Sequence, residues 1–259
     1  MKTFNAILVI AYRDLLKFFH DRTRIIATFI FPIIFIGVLG KGFQSSIGND
    51  VKFDYLLFIF TGVLAQTLFQ SAASGIISLI EDRENDFSQE IFISPIPRTA
   101  IILGKVLGES SVALIQALGI IAFGLIIGVS ISFIQLLSAI PIMIMACLFG
   151  ASFGVIVLGN LSSQRAANQI FPFVIFPQIF LSGIFNPVTS LPWYLDILSK
   201  ISPLTYIVDM MRGVVYSNFT TTSQLVARPV WLNFIIIVCL FLTFITVGTA
   251  LFTRNEKNK

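Results

Sequence analysis

Hydrophobic and polar positions along the chain alternate between long apolar stretches and short charged ones. From Met1 to Asp21, Phe4, Ile7, Leu8, Ala11, Leu15 and Phe18 recur at helical spacing while Arg13, Asp14, Lys17 and His20 fall opposite. This predicts an amphipathic helix over residues 1–22 lying in a membrane interface. It does not read as a cleaved signal peptide, because Arg13, Asp14 and Lys17 interrupt what should be a continuous apolar region. Charge-free runs follow at Ile25 to Gly40, Tyr55 to Ile80, Ser110 to Gln164, Ala166 to Leu195 and Pro229 to Thr253. The third run is long enough for two crossings, and Gly128 to Phe133 is its natural break. Six spans are expected, at about 24–41, 54–80, 101–127, 136–158, 166–184 and 230–252, in one domain covering residues 1–259. The fold class is an all-α integral membrane protein with six transmembrane helices, an N-terminal interfacial helix and short external re-entrant helices between spans five and six.

Composition supports this picture and narrows it. The 259 residues are 56% hydrophobic and 12% charged, with mean hydropathy +0.92, whereas soluble domains carry about 25% charged residues. A water-soluble globular fold is excluded, and no length remains for a large soluble domain. The net charge of +4 reports orientation in a bilayer rather than affinity for nucleic acid. With the N-terminus inside, Lys2, Arg13, Lys17, Arg22, Arg24, Arg83, Arg98, Lys105, Arg165, Arg254, Lys257 and Lys259 are cytoplasmic. Lys41, Lys52, Lys200, Arg212 and Arg228 are then outside, which satisfies the positive-inside rule and places both termini in the cytoplasm. The inverted repeat of many secondary transporters is not evident.

Candidate chemistry is sparse. Cys147 and Cys239 sit in apolar runs as small buried hydrophobes, so neither a disulfide framework nor a thiolate metal site is implied. The single histidine, His20, excludes a paired-histidine zinc motif, and the phosphate-binding loop of ATPases does not occur. The chain is therefore not expected to hydrolyse ATP by itself or to be an enzyme. An intramembrane enzyme would need paired carboxylates, a His cluster or an activated serine, which the spans lack. An ion-coupled secondary transporter would need buried charges, for which only Lys105, Glu109 and Asp209 qualify. Lys105 and Glu109 stand one helical turn apart, either as a relay or as a self-neutralised pair. Pro141, Pro172 and Pro177 either supply kinks or fit the packing.

Two segments stand out. Residues 81–98 are the most polar stretch, with Phe87, Ile91 and Ser94 on one helical face, Asp86 and Glu90 beside them, and Pro95 and Pro97 stopping the helix before Arg98. This is either a docking ridge with a polar rim that includes Asp82, or a solvated connecting loop. The second segment, from Phe176 to Arg212, is too apolar for a loop and too interrupted by Pro187, Pro192 and Pro203 for one spanning helix. Two short helices dipping into the outer leaflet fit it, with Trp193 and Tyr194 at the interface and Asp209 pairing with Arg212. The bland alternative is a packed external cap with no ligand role. Asn218-Phe-Thr220 has the form of a glycosylation acceptor on the outer side, whereas Asn160-Leu-Ser162 lies inside.

Three patterns carry a resemblance: S-P-I-P-R-T-x-I-x-x-G-K at Ser94 to Lys105, F-x-x-G-I-F-x-P-V-x-x-L-P at Phe180 to Pro192, and S-P-L-T-Y-x-x-D-x-x-R-G at Ser202 to Gly213. Together, in this order and between these spans, they resemble the permease subunits of ABC-2 type transporters, in wording closer to the daunorubicin-resistance type of drug exporters than to polysaccharide exporters. The resemblance implies that Glu84 to Ser94 forms a coupling helix docking on a separate ATPase that holds ATP and Mg, with Phe87, Glu90, Ile91, Phe92, Ser94, Pro95 and Arg98 at or beside the contact. No cofactor is implied on this chain. It further implies a dimer of permeases, identical or related, in the cell membrane. Phe58, Gln66, Phe69, Gln70, Phe176, Phe180 and Leu181 are then candidates for a central pathway or plain packing, and Trp193, Tyr206, Asp209 and Arg212 belong to an external lid. The function implied is export of a hydrophobic drug-like or lipid-like substrate by alternating access, with polysaccharide or glycolipid export as the alternative.

Overall fold

The computed structural model describes residues 2–47, 53–84, 97–161, 163–217, 219 and 222–257, and every regular element among them is helical. Asp21 accepts a hydrogen bond from the Arg24 amide at 2.9 Å, which ends α1 (Lys2–His20) and starts α2 (Arg22–Pro32). Pro32 has no N–H to continue the ladder, and the helix goes on in wider π turns over Ile33–Gly40 before α3 (Lys41–Ile47). Asp54 caps α4 (Tyr55–Gly75) by accepting from the amides of Leu56 and Leu57, and α5 (Ile77–Glu84) continues it. The break expected at Gly128 is present. Gly128, at φ +94°, closes α6 (Arg98–Ile127), and a reciprocal Ser132–Gln135 cap opens α7 (Phe133–Val157). Ser163 caps α8 (Gln164–Leu181). A short 3₁₀ turn (Val188–Ser190), α9 (Trp193–Ile201), α10 (Pro203–Val215), α11 (Thr222–Leu225) and α12 (Val230–Lys257) complete the chain.

Among the described residues, five helical stretches are long and apolar enough to cross a membrane: Arg22–Gln44, Tyr55–Asp82, Thr99–Ile127, Phe133–Val157 and Thr222–Arg254. The stretch expected at 166–184 is the helix α8, but Gln164, Arg165, Asn168 and Gln169 crowd its first turns and keep it out of that set.

The centre of the bundle is α4, whose residues from Leu57 to Phe69 are buried all round against α6, α7 and α10. Between apolar helices in lipid, contact is gained by close approach of small residues rather than by expelling water. Gly150 and Gly154 of α7 supply that approach to α4: a Cβ on either would meet the carbonyl oxygen of Phe69 or Ala73 at 2.2 or 2.4 Å. The same four-residue spacing recurs at Gly104 and Gly108 of α6, where a Cβ would meet Ile10 at 2.9 Å or Ala11 at 3.0 Å of α1. The N-terminal helix is thereby seated on α6. The second helix of the external segment, α10, is also a core element, buried from Leu204 to Gly213, while Trp193 on α9 is exposed.

Candidate functional site

The close seating of α1 on α6 brings a set of charges together at the bundle end from which residues 85–96 connect α5 to α6. Lys105, 1% exposed, donates to Asp14 Oδ1 at 3.0 Å, Asp82 Oδ2 at 2.8 Å and Ser78 Oγ at 3.0 Å, which satisfies all three ammonium protons. Arg13 bonds Asp82 and also reaches Asp14 Oδ1 at 3.1 Å, while Lys17 Nζ lies 3.0 Å from Asp82 Oδ1. Ser78 continues the network to Glu109 Oε1 at 3.1 Å, and Arg24 holds Glu109 Oε2 at 2.7 Å. Among the described residues, α1, α2, α5 and α6 are thus joined by one cluster of four cations and three carboxylates. Burial works against the Arg13 charge, but Asp82 and Asp14 beside it prevail and hold its guanidinium above the ordinary arginine range.

Two sequence expectations are corrected here. Lys105 and Glu109 do not neutralise each other one turn apart; each turns to a different helix, because Asp14, Asp82 and Arg24 lie across the packing interfaces from them. Asp82 is not a rim charge but a 7% exposed hub with three cationic partners.

Beside the cluster a cleft of about 270 Å³ opens between α2, α4 and α6, lined by Arg24, Ala27, Thr28, Phe31, Pro32, Thr67, Gln70, Ser71, Ser74 and Gln116. Its α4 wall is one polar stripe, since Thr67, Gln70, Ser71 and Ser74 follow the i, i+3, i+4, i+7 spacing of a single helical face.

The pathway candidates separate into three groups. Phe58 is fully buried under the Arg212 guanidinium at 3.6 Å, and Phe69 is buried against Phe149 and Phe153. Gln66 is buried and donates to Gln70 at 2.8 Å, and Gln70 borders the cleft. Phe176 and Phe180 lie on the exposed face of α8 with ring centroids 5.2 Å apart, and Leu181 is half-buried. Of the coupling candidates, Phe87, Glu90, Ile91, Phe92, Ser94 and Pro95 lie outside the described residues, as do Asn218 and Thr220; Arg98 opens α6.

In the external segment, Trp193 packs edge-on against Tyr194, and Tyr206 is buried with its hydroxyl donating to the Lys200 carbonyl at 2.6 Å. The expected Asp209–Arg212 pair is not formed. Asp209 instead accepts from the amides of Ala227 and Arg228 and from Asn233, and Arg212 donates to the carbonyls of Gly183 and Ile184 at 2.7 and 3.2 Å. Backbone groups left over at the ends of α8 and ahead of α12 outcompete the neighbour one turn away.

Comparison with known proteins agrees with this architecture. The family model described as ABC-2 type transporter matches residues 5–216. The chain is 26% identical over 200 residues to the putative transport permease ycf38 of Cyanophora paradoxa, covering 75% of this chain and 69% of that protein. It is 25% identical over 189 residues to nodulation protein J of Rhizobium meliloti, covering 72% of each. It is also 25% identical over 213 residues to the inner membrane transport permease YadH of Escherichia coli, covering 76% of this chain and 78% of the relative. A model match over most of the chain, on a bundle with several membrane-crossing helices, leads to one conclusion: the chain belongs to the ABC-2 type transporter family.

Proposed function

We propose that this transport permease is the membrane-spanning subunit of an ATP-driven exporter, moving a hydrophobic drug-like or lipid-like substrate out of the cell by alternating access. In this reading α8 is the fifth of six spans, both termini are cytoplasmic, and two permease copies enclose the pathway. ATP and Mg reside on a separate ATPase, which docks on Phe87, Glu90, Ile91, Phe92, Ser94, Pro95 and Arg98, and α9 and α10 cover the outer end.

The observation that carries the reading is the buried cluster around Lys105. A segment that receives a push from an ATPase transmits it only if its two stems move as one body. Asp82 on α5 and Lys105 on α6, the stems on either side of residues 85–96, are joined at 2.8 Å, and Asp14 ties the same lysine to α1 at 3.0 Å. Such a clamp supports a mechanical role for the segment, because a solvated connecting loop needs none.

The test is Phe87→Ala in the full chain. Removing an aromatic anchor from a small contact costs at least about 2 kcal/mol, more than tenfold in affinity. Co-purification of the ATPase and transport should be lost while the permease is recovered intact. Undiminished ATPase binding and transport would remove the coupling role from this segment.

A further inference from the structure

We infer that the cleft where α1 turns into α2, walled by α5 and α6, is a binding site for a resident phospholipid with a primary ammonium headgroup, a phosphatidylethanolamine that is held and not transported. The site is distinct from the cleft between α2, α4 and α6, and its occupancy does not depend on what the permease carries.

The cleft, of about 470 Å³, is lined by Asp14, Lys17 and His20 of α1, Asp21 at the turn, Arg24 of α2, Ser78 and Glu81 of α5 and Glu109 of α6. Asp14 is 1% exposed, and its Oδ1 accepts from Lys105 and Arg13, yet among the described residues nothing bonds its Oδ2. A buried carboxylate oxygen without a donor is costly. Because Asp14 borders the cleft, the missing donor belongs to whatever occupies it.

Charge of both signs narrows the ligand. Asp21 and Glu81 stand with Asp14 on the lining and favour a cation, whereas Glu109 is already bonded by Ser78 and Arg24. Arg24 gives Glu109 a single guanidinium nitrogen, and Lys17 gives Asp82 one bond at 3.0 Å, so both keep N–H donors for an anion. A bare cation would meet Lys17 and Arg24, and a bare anion would meet the carboxylates. A zwitterion that joins an ammonium to a phosphodiester satisfies both sets.

The kind of ammonium follows from the lining. Choline has no N–H and is recognised by aromatic faces, and among the described residues no aromatic ring lines the cleft. A primary ammonium offers three donors. Asp14 Oδ2 and Glu81 can accept two of them, and His20, which donates through Nδ1 to the Leu16 carbonyl at 2.8 Å, keeps Nε2 as a third acceptor. A serine headgroup would add a carboxylate among carboxylates. The volume corresponds to about 16 waters at ~30 Å³ each, ample for phosphoethanolamine. Apolar surface beside the lining points to a lipid and not to a water-soluble phosphoethanolamine: Leu16 and Phe19 on α1 and Ile26 and Ile30 on α2, beyond Arg24, are exposed. Acyl chains leaving the cleft have these side chains to lie on, at the interfacial level where α1 passes into α2.

The experiment uses the full chain alone in phosphatidylcholine nanodiscs, with a trace of phosphatidylethanolamine or phosphatidylcholine carrying the same photoreactive diazirine in one acyl chain. The ethanolamine lipid should label α1 and α2 at least about tenfold more strongly than the choline lipid. Unlabelled phosphatidylethanolamine should displace it, its N,N-dimethyl form less well, and phosphatidylglycerol or soluble glycerophosphoethanolamine at the same content should not. Asp14→Asn and Glu81→Gln should each weaken labelling about tenfold, since each removes a charge-assisted acceptor; Glu81 takes no part in the ion pairs that join the helices, so its variant keeps the test decisive if Asp14→Asn fails to fold. Equal labelling by the two lipids, preference for phosphatidylglycerol, displacement by glycerophosphoethanolamine, or unchanged labelling of Glu81→Gln would overturn the site. With the cognate ATPase added, labelling should persist through ATP turnover, and its ATP-dependent loss would overturn residence in favour of cargo. Because binding is read first without the ATPase, its failure is distinguishable from failure of the ATP-driven mechanism.

Discussion

Replacing Asp82 by asparagine keeps the shape of the side chain and removes the charge that joins Arg13, Lys17 and Lys105. Lys105 is 1% exposed. Breaking one partner of a buried pair costs about 3–5 kcal/mol, because the remaining charge stays desolvated. Lys105 retains Asp14 at 3.0 Å and Ser78 at 3.0 Å, so the low end applies and Asp82→Asn should cost about 3 kcal/mol. At roughly 2–4 °C per kcal/mol for a chain of this size, the unfolding midpoint in detergent should fall by about 6–12 °C. The double variant Asp82→Asn with Lys105→Met removes both charges together, and should be more stable than the sum of the single variants by at least about 1.5 kcal/mol. An Asp82→Asn midpoint unchanged within about 0.5 kcal/mol, with additive double-variant behaviour, would refute the argument that the cluster clamps α5 to α6.

Gly154→Leu should destabilise the bundle by about 2–3 kcal/mol or more, since even a Cβ there meets the Ala73 carbonyl at 2.4 Å; the fraction eluting as a monodisperse species reports it. A cysteine at Ser46 or Ser223 should react with an impermeant maleimide added outside intact cells, and one at Ser88 or Asn258 should not; labelling at Ser88 from outside would reverse the orientation. Phe87→Ala, measured by pull-down of the ATPase, separates loss of docking from loss of folding.

The long helices and their breaks were readable because they depend on local chemistry. Gly128 can adopt φ +94° without strain, and Ser132 with Gln135 forms a cap visible as a four-residue pattern. The polar face of α1 was readable as a face, but not its fate: periodicity groups Asp14 with Arg13 and Lys17 without indicating that α5 and α6 lie opposite, so the polar face of an interfacial helix carries a carboxylate 1% exposed. Two partners of Asp82, Lys17 and Arg13, stand 65 and 69 positions away in the chain, beyond any spacing argument. Asp209 and Arg212 show the converse, since their adjacency suggested a pair that backbone donors and acceptors elsewhere displace. Two signals were present and passed over. The glycine pairs at 104 and 108 and at 150 and 154 mark the close helix contacts, and Thr67, Gln70, Ser71 and Ser74 mark the cleft wall as a polar stripe on an otherwise apolar helix.

The central claim is that this permease moves its substrate only when a separate ATPase turns over. The most direct measurement reconstitutes the purified chain in liposomes, with and without the cognate ATPase, and follows ATP hydrolysis and the flux of a labelled amphiphile together. The chain alone should hydrolyse no ATP and sustain no directed flux, whereas the pair should hydrolyse ATP at a rate changed by the permease and drive flux that stops when ATP is withdrawn. Directed flux by the chain alone under an ion gradient, without ATP or partner, would contradict the account.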